Sequence, residues 1–355
     1  MPPRTVRVLI VDDSHLVRQI LLEGLNKDPG IEVVGTAADP YVARDEIIRL
    51  RPDVLTLDVE MPKMNGVEFL RKLMPQYPIP VVMVSSHTER GQKITLDAMA
   101  AGAVEFVAKP KAAGGAGLEG MMDELRTKVK IASTANVSHW KHKQIAASSA
   151  SSGSGSAKSA AQTLSSRVVA IGASTGGTEA LREVVCGFSR AIPGVVIVQH
   201  MPSGFTKMFA DRLNSLAQVV VKEAADGDQI VDGRVLIAAG GKQLEVVKFG
   251  AGWKVRVFDG PLVCGHRPSV EVMMNSVAKN VGKIAVAAML TGMGADGANG
   301  MKNLRDTGAR CIAQDEATCI VFGMPKEAYE RGGAERLVPL PRIAQTIQAI
   351  LKGQM

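Results

Sequence analysis

Three residues in the second half of the chain could together cleave an ester or an amide. Ser174 lies in R-V-V-A-I-G-A-S-T-G-G, where an apolar strand run enters a glycine-flanked turn. A serine at the tip of such a turn has its hydroxyl exposed and its neighbouring N–H groups free, which suits an activated nucleophile. That nucleophile needs a base, and the chain has six histidines. His200 closes V-V-I-V-Q-H, the next expected strand. Adjacent strand ends of a parallel sheet lie about 5 Å apart, so its imidazole can reach the serine. Asp296 follows in the glycine-rich loop of A-V-A-A-M-L-T-G-M-G-A-D-G. It would fix the imidazole tautomer and support the imidazolium. Thr175 and Met293, in the same two loops, are expected to contact the oxyanion or the substrate. His266, in G-H-R-P, fits a structural or rim position.

The first half of the chain points to phosphoryl chemistry. Asp12 and Asp13 end the first expected strand, Asp58 the third, Ser85 the fourth and Lys109 the fifth. The carboxyl ends of strands in an open parallel sheet converge on one edge. Three carboxylates there repel one another unless a cation sits among them, and hard oxygen ligands suit Mg²⁺. Lys109 and Ser85 could hold a transferred phosphoryl group. Asp58 would be the nucleophile toward a phosphodonor, forming an acyl phosphate.

Both constellations require α/β frameworks. Apolar runs at 6–11, 32–36, 54–58, 81–85 and 105–108 alternate with helical patterns such as 15–27, 41–50 and 118–131. That alternation predicts a doubly wound parallel sheet. From 133 to 166 the chain is mostly Ser, Ala, Gly, Lys and Gln, including S-S-A-S-S-G-S-G-S. Such a stretch offers little apolar surface and reads as a flexible linker. Alternation then resumes, with strands expected at 168–173, 194–199 and 284–290 and helices at 203–216 and 268–281. A β-rich patch at 232–259 has a hairpin turn at Gly250-Ala251-Gly252.

A chain of 355 residues suits two domains, and 46% apolar with 22% charged residues is an ordinary globular composition. The boundaries expected are 4–131, a linker at 132–166, and 167–352. No apolar run approaches the roughly 18 residues of a membrane span, so no membrane insertion is expected. Val8-Leu9-Ile10-Val11 meets Asp12 and Asp13 at once, unlike a signal peptide. The four cysteines show no metal-binding spacing, which favours a cytoplasmic location. The net charge is +7, and seven bases fall between Leu125 and Thr178 with no acid. The excess therefore marks a basic linker, and no nucleic-acid groove is expected.

The order of Asp12-Asp13, Asp58, Ser85 and Lys109-Pro110 on five strands resembles the receiver domain of bacterial response regulators. That resemblance, over residues 4 to about 131, implies a flavodoxin-like fold and phosphorylation of Asp58 by a histidine kinase. It implies Mg²⁺ held by Asp12, Asp13, Asp58 and the backbone carbonyl of Glu60, with Ser85 and Lys109 on the phosphoryl group. The family's aromatic switch position falls on Phe106, which has no hydroxyl, so a signalling swing there would rest on packing.

From 167 to about 352, I-G-A-S-T-G-G, V-Q-H-M, G-H-R-P-S-V and L-T-G-M-G-A-D-G resemble the catalytic domain of the CheB chemotaxis methylesterases. The order Ser, His, Asp differs from the Ser, Asp, His of α/β-hydrolases. At G-G-K-Q-L near Gly240 the family more usually carries a His, and no catalysis is placed there. The resemblance implies a Rossmann-like esterase domain, monomeric and needing no cofactor for the ester reaction. It would hydrolyse glutamate methyl esters and deamidate glutamines on methyl-accepting chemoreceptors, with phosphorylation of Asp58 relieving inhibition by the receiver. The alternative is a response regulator whose G-A-S-T-G-G loop cradles a nucleotide. Against it, G-x-G-x-x-G is absent and His200, not an acid, ends the adjacent strand. A DNA-reading output domain would need a basic recognition helix, and none follows the linker.

Overall fold

The apolar runs form two separate parallel sheets, each sandwiched by helices. A computed structural model describes residues 4–85, 88–110, 115–142 and 165–354. The chain divides into two compact units, Met1–Ala150 and Ser151–Met355. Most of the stretch expected as a linker, residues 143–164, lies outside the described residues.

In the first unit, β1 (Val6–Val11), β2 (Ile31–Ala37), β3 (Val54–Asp58), β4 (Val81–Ser85) and β5 (Glu105–Ala108) pair in the order β2-β1-β3-β4-β5. Every pairing is parallel. The helices are α1 (His15–Asn26), α2 (Pro40–Leu50), α3 (Gly66–Leu73), α4 (Glu89–Ala100) and α5 (Gly115–Ala132). V-L-T-L-D and V-V-M-V-S are buried along their whole length, as strands covered on both faces must be. Ser14, Asp39, Asn65 and Thr88 cap the first four helices, each accepting a first-turn N–H that would otherwise lack a partner. Beyond α5, Val137 and Trp140 are buried, so packed structure extends to a short turn of 3₁₀ helix at Ser138–His142. A low-complexity composition hides these two apolar side chains, which the expected linker boundary at 132 passes over.

The second unit contains β6 (Val168–Ala173), α6 (Gly177–Cys186), β7 (Gly194–Gln199), α7 (Phe205–Leu216), β8 (Val220–Glu223) and β9 (Arg234–Ile237). It continues with β10 (Gln243–Phe249), β11 (Gly252–Phe258), α8 (Val270–Asn280), β12 (Val286–Met289), α9 (Ala298–Asp306) and β13 (Arg310–Gln314). The last elements are α10 (Met324–Glu330), β14 (Arg336–Val338) and α11 (Leu340–Leu351). Seven strands form one sheet in the order β14-β13-β12-β6-β7-β9-β8, all parallel.

The β-rich patch divides. β9 joins the parallel sheet, while β10 and β11 form a separate antiparallel pair turning at Gly250, whose φ is +56°. The strand expected over 284–290 is trimmed to β12, because a 3₁₀ turn at Gly282–Ile284 precedes it. Central β6 is flanked by β7 on one side and β12 on the other. The chain passes from β6 to β7 on one side and from β12 to β13 on the other. Such a reversal between neighbouring strands opens a crevice at their carboxyl ends, where such sheets bind ligands.

Candidate active site

Ser174, His200 and Asp296 come together at that crevice, one after each of three adjacent strands. Ala173 pairs in register with Gln199, and Gly172 with Met289, so the three strand ends are level. The His200 ring stands between its two partners. Nδ1 lies 3.1 Å from Ser174 Oγ, and Nε2 lies 2.7 Å from Asp296 Oδ2. A carboxylate can only accept, so Nε2 carries the proton and Nδ1 is left to accept from the serine hydroxyl. The ring is thus turned the opposite way from the serine-protease template, in which Nε2 faces the serine. Both orientations link hydroxyl, imidazole and carboxylate through one conjugated ring.

The backbone under each residue is tied down. Ser174 N–H donates to Thr291 O at 3.0 Å, and Gly177 N–H donates to Ser174 O at 2.7 Å. The side-chain amide of buried Gln199 donates to Ser174 O at 2.9 Å and to His200 O at 3.1 Å. Thr291 Oγ donates to Thr175 O at 2.9 Å. The turn needs glycine at two points. Gly176 takes φ +77°, and a Cβ there would meet Ile320 Cβ at 2.6 Å. At Gly292 a Cβ would lie 2.7 Å from Ser174 Cβ and 2.5 Å from Met324 Sδ. The second loop therefore rests directly against the serine.

Asp296 is 3% exposed and receives more than the imidazole proton. Ser269 Oγ–H donates to Oδ1 at 2.7 Å, Val270 N–H to Oδ2 at 2.7 Å and Glu271 N–H to Oδ1 at 3.1 Å. These donors belong to the cap and first turn of α8, whose positive end also favours an anion. Burial alone would push this carboxyl up; the bonds from His200, Ser269 and Val270 outweigh it and hold the group below the ordinary carboxylate value. Against the outer face of the His200 imidazole lies His266, the rings stacked with centroids 3.7 Å apart and planes 12° from parallel. The sequence alone singles out neither Ser269 nor Gln199, and gives His266 a structural or rim position without its contact to His200. The signal for Ser269 and His266 is the motif G-H-R-P-S-V, whose role depends on where the loop returns in space, whereas Gln199 sits in V-Q-H-M directly before His200. Thr175 is buried beside the serine, while Met293 is exposed in the facing loop.

In the first unit, Lys109 Nζ donates to Asp58 Oδ1 at 2.7 Å and to Asp12 Oδ2 at 3.2 Å. Both carboxylates are buried, at 5% and 1% exposure. Burial and the neighbouring Asp12 push Asp58 up against the pull of Lys109, while Lys109 is held up by the two carboxylates despite its own burial. Three carboxylates are expected here, yet Asp13 is exposed and its carbonyl accepts from Arg18 at 3.0 Å. Among the described residues no three His, Cys, Asp or Glu side chains gather as a metal site. Even so, one ammonium against two buried carboxylates leaves an all-oxygen donor set short of positive charge, which fits a hard divalent cation. Glu60 meets Asp58 through its backbone N–H, 3.1 Å from Oδ2. The Ser85 hydroxyl is buried, donating to Gly91 O at 3.3 Å and accepting from Thr95 Oγ at 2.6 Å. Phe106 is buried, with Lys128 Nζ 5.1 Å from its ring centroid and donating to its carbonyl at 2.6 Å.

Known proteins match both units. The CheB methylesterase family matches residues 169–347, and the response regulator receiver domain matches residues 8–114. A protein from Syntrophotalea carbinolica named protein-glutamate methylesterase/protein-glutamine glutaminase is 59% identical over 349 residues, covering 98% of each chain. A protein of the same name from Sulfurimonas denitrificans is 50% identical over 351 residues, again covering 98% of each. The crystal structure of the Thermotoga maritima CheB methylesterase catalytic domain is 35% identical to this chain, with a TM-score of 0.50. It aligns with 52% of this chain and 97% of its own.

Proposed function

This chain belongs to the CheB methylesterase family, and from that premise we propose that its Ser174–His200–Asp296 cluster hydrolyses glutamate methyl esters and deamidates glutamines on methyl-accepting chemoreceptors. It is a protein-glutamate methylesterase/protein-glutamine glutaminase with a receiver domain. The observation that carries the triad reading is the pair of imidazole contacts, 3.1 Å to Ser174 and 2.7 Å to Asp296.

Ser174 Oγ attacks the γ-carbonyl carbon as its proton passes to His200 Nδ1. The tetrahedral oxyanion would be met by N–H groups of the two loops, with Thr175 and Met293 as the expected contacts. Asp296 holds the imidazolium through Nε2–H. Collapse expels methanol from an ester or ammonia from an amide, each taking the proton back from His200. That leaves a γ-glutamyl ester on Ser174. His200 then takes a proton from water, which attacks this ester; collapse frees the receptor's glutamate side chain, and His200 returns the proton to Ser174 Oγ. No step needs a cofactor.

Regulation enters through the first domain. A chemotaxis histidine kinase would phosphorylate Asp58, with Ser85 and Lys109 contacting the phosphoryl group and Phe106 at the switch position. Asp12, Asp13, Asp58 and the Glu60 carbonyl would hold Mg²⁺, which supplies positive charge against the phosphoryl oxygens. Phosphorylation then relieves inhibition of the esterase by the receiver domain. The two domains correspond to 4–131 and 167–352, the segment between them serving as the linker beyond the packed turn at Ser138–His142, and the enzyme works as a monomer in the cytoplasm. Among the described residues no helix is long and apolar enough to cross a membrane. Methanol release from methylated receptors, measured with and without a small phosphodonor, tests both halves. Stimulation of the native enzyme that disappears in Asp58→Asn supports the regulatory reading; equal stimulation of the variant contradicts it.

A further inference from the structure

We infer that His266 is a positioning residue, whose ring sets the plane of the His200 imidazole. The inference rests on the Ser174–His200–Asp296 reading and adds a fourth residue to it. The two edge contacts of His200 lie at opposite nitrogens, 3.1 Å from Ser174 and 2.7 Å from Asp296. Bonds at two ends of one axis fix the ring along that axis but leave it free to rock about it. Rocking swings the Nδ1 lone pair out of line with the serine hydroxyl, and misplacement on the scale of 1 Å can cost about 10²-fold in rate. A second flat ring at a centroid distance of 3.7 Å and 12° from parallel removes that freedom.

The platform itself is held from several sides, as a positioning device requires. His266 N–H donates to Val263 O at 2.9 Å, and Val263 N–H donates back to His266 O at 3.1 Å. The chain between them turns through Cys264 at φ +51° and Gly265 at φ +81°. Buried Gln243 donates to His266 O at 3.2 Å and to Pro261 O at 2.9 Å, and its own amide oxygen accepts from Ser269 N–H at 2.9 Å. Arg267 O accepts from Gly241 N–H at 3.1 Å. The same segment that presents the ring thus runs directly into the cap that grips Asp296. One loop governs the imidazole at its face and its carboxylate partner at its edge.

The test uses the full-length enzyme with a small phosphodonor and methylated receptor membranes, following methanol release. His266→Ala is expected to lower kcat by roughly 10- to 100-fold with KM little changed. His266→Phe keeps a flat ring without ring nitrogens and is expected to recover kcat to within about threefold of native. In proton NMR, the His200 Nε2–H resonance bound to Asp296 should stay sharp in native enzyme and His266→Phe, and broaden in His266→Ala. The phenylalanine variant also shows that the loop still folds. The inference is overturned if His266→Phe is as slow as His266→Ala, if His266→Ala keeps native kcat, or if only KM moves. Ser174→Ala run alongside separates the two readings. An active Ser174→Ala removes the triad and this inference with it. An inactive Ser174→Ala beside a native-like His266→Ala overturns the positioning role alone.

Discussion

Asp296 illustrates how much of the site is decided by single polar atoms. Its carboxylate accepts from His200, Ser269, Val270 and Glu271 while almost wholly buried. Bonds to a charged acceptor are worth about 1.5–3 kcal/mol each, so removing the Ser269 hydroxyl should cost about 2 kcal/mol of stability. The pH dependence has a definite sign. The folded carboxyl lies below its unfolded value of about 3.9, so its contribution is present above that pH and lost as pH falls through the folded value. The stability gap between native enzyme and Ser269→Ala, from urea melts, should therefore be full above about pH 4 and close below it. Asp296→Asn keeps the shape but favours the wrong imidazole tautomer, and is expected to lower kcat by about 10⁴-fold. Ser174, His200 and Asp296 are legible in the sequence because each follows an apolar run that must be a strand. Ser269 and His266 are not, because the loop carrying them belongs to no strand end and its path back to the crevice is a tertiary fact.

The loops after β6 and β12 are coupled by contact rather than by sequence. Gly292 leaves no room for a side chain against Ser174 and Met324. Gly292→Ala should shift the serine away from the imidazole and lower kcat by more than about tenfold, with phosphoryl uptake by the receiver domain unaffected. Equal kcat in that variant would show that the loop can move aside. Elements with long apolar runs, such as β1, β3, β4, β6 and β7, stand out from the sequence because burial on both faces demands them. β8, β13 and β14 do not. V-V-K-E, R-C-I-A-Q and R-L-V are short, and each mixes in charge or polarity, so their strand character comes from neighbours already in the sheet. The first unit shows the same limit. Strand order places Asp12 and Asp58 together, whereas the exposure of Asp13 depends on the turn that follows β1.

At the scale of the whole molecule, the proposed function assigns phosphoryl capture to the first α/β domain and hydrolysis to the second. Lys109 bridges Asp12 and Asp58, so Lys109→Ala should abolish stimulation by a phosphodonor and leave basal methanol release in place. Deleting residues 1 to about 160 should raise basal hydrolysis; a folded fragment with unchanged or lower activity would contradict inhibition by the receiver domain. The central claim is that Ser174 is the nucleophile of a receptor methylesterase. Methanol release from methylated receptor membranes by native enzyme and by Ser174→Ala, each given a phosphodonor, tests it most directly. Rapid release is expected from the native enzyme, and none above background from Ser174→Ala with its receiver still phosphorylated. Release by Ser174→Ala at the native rate would contradict it.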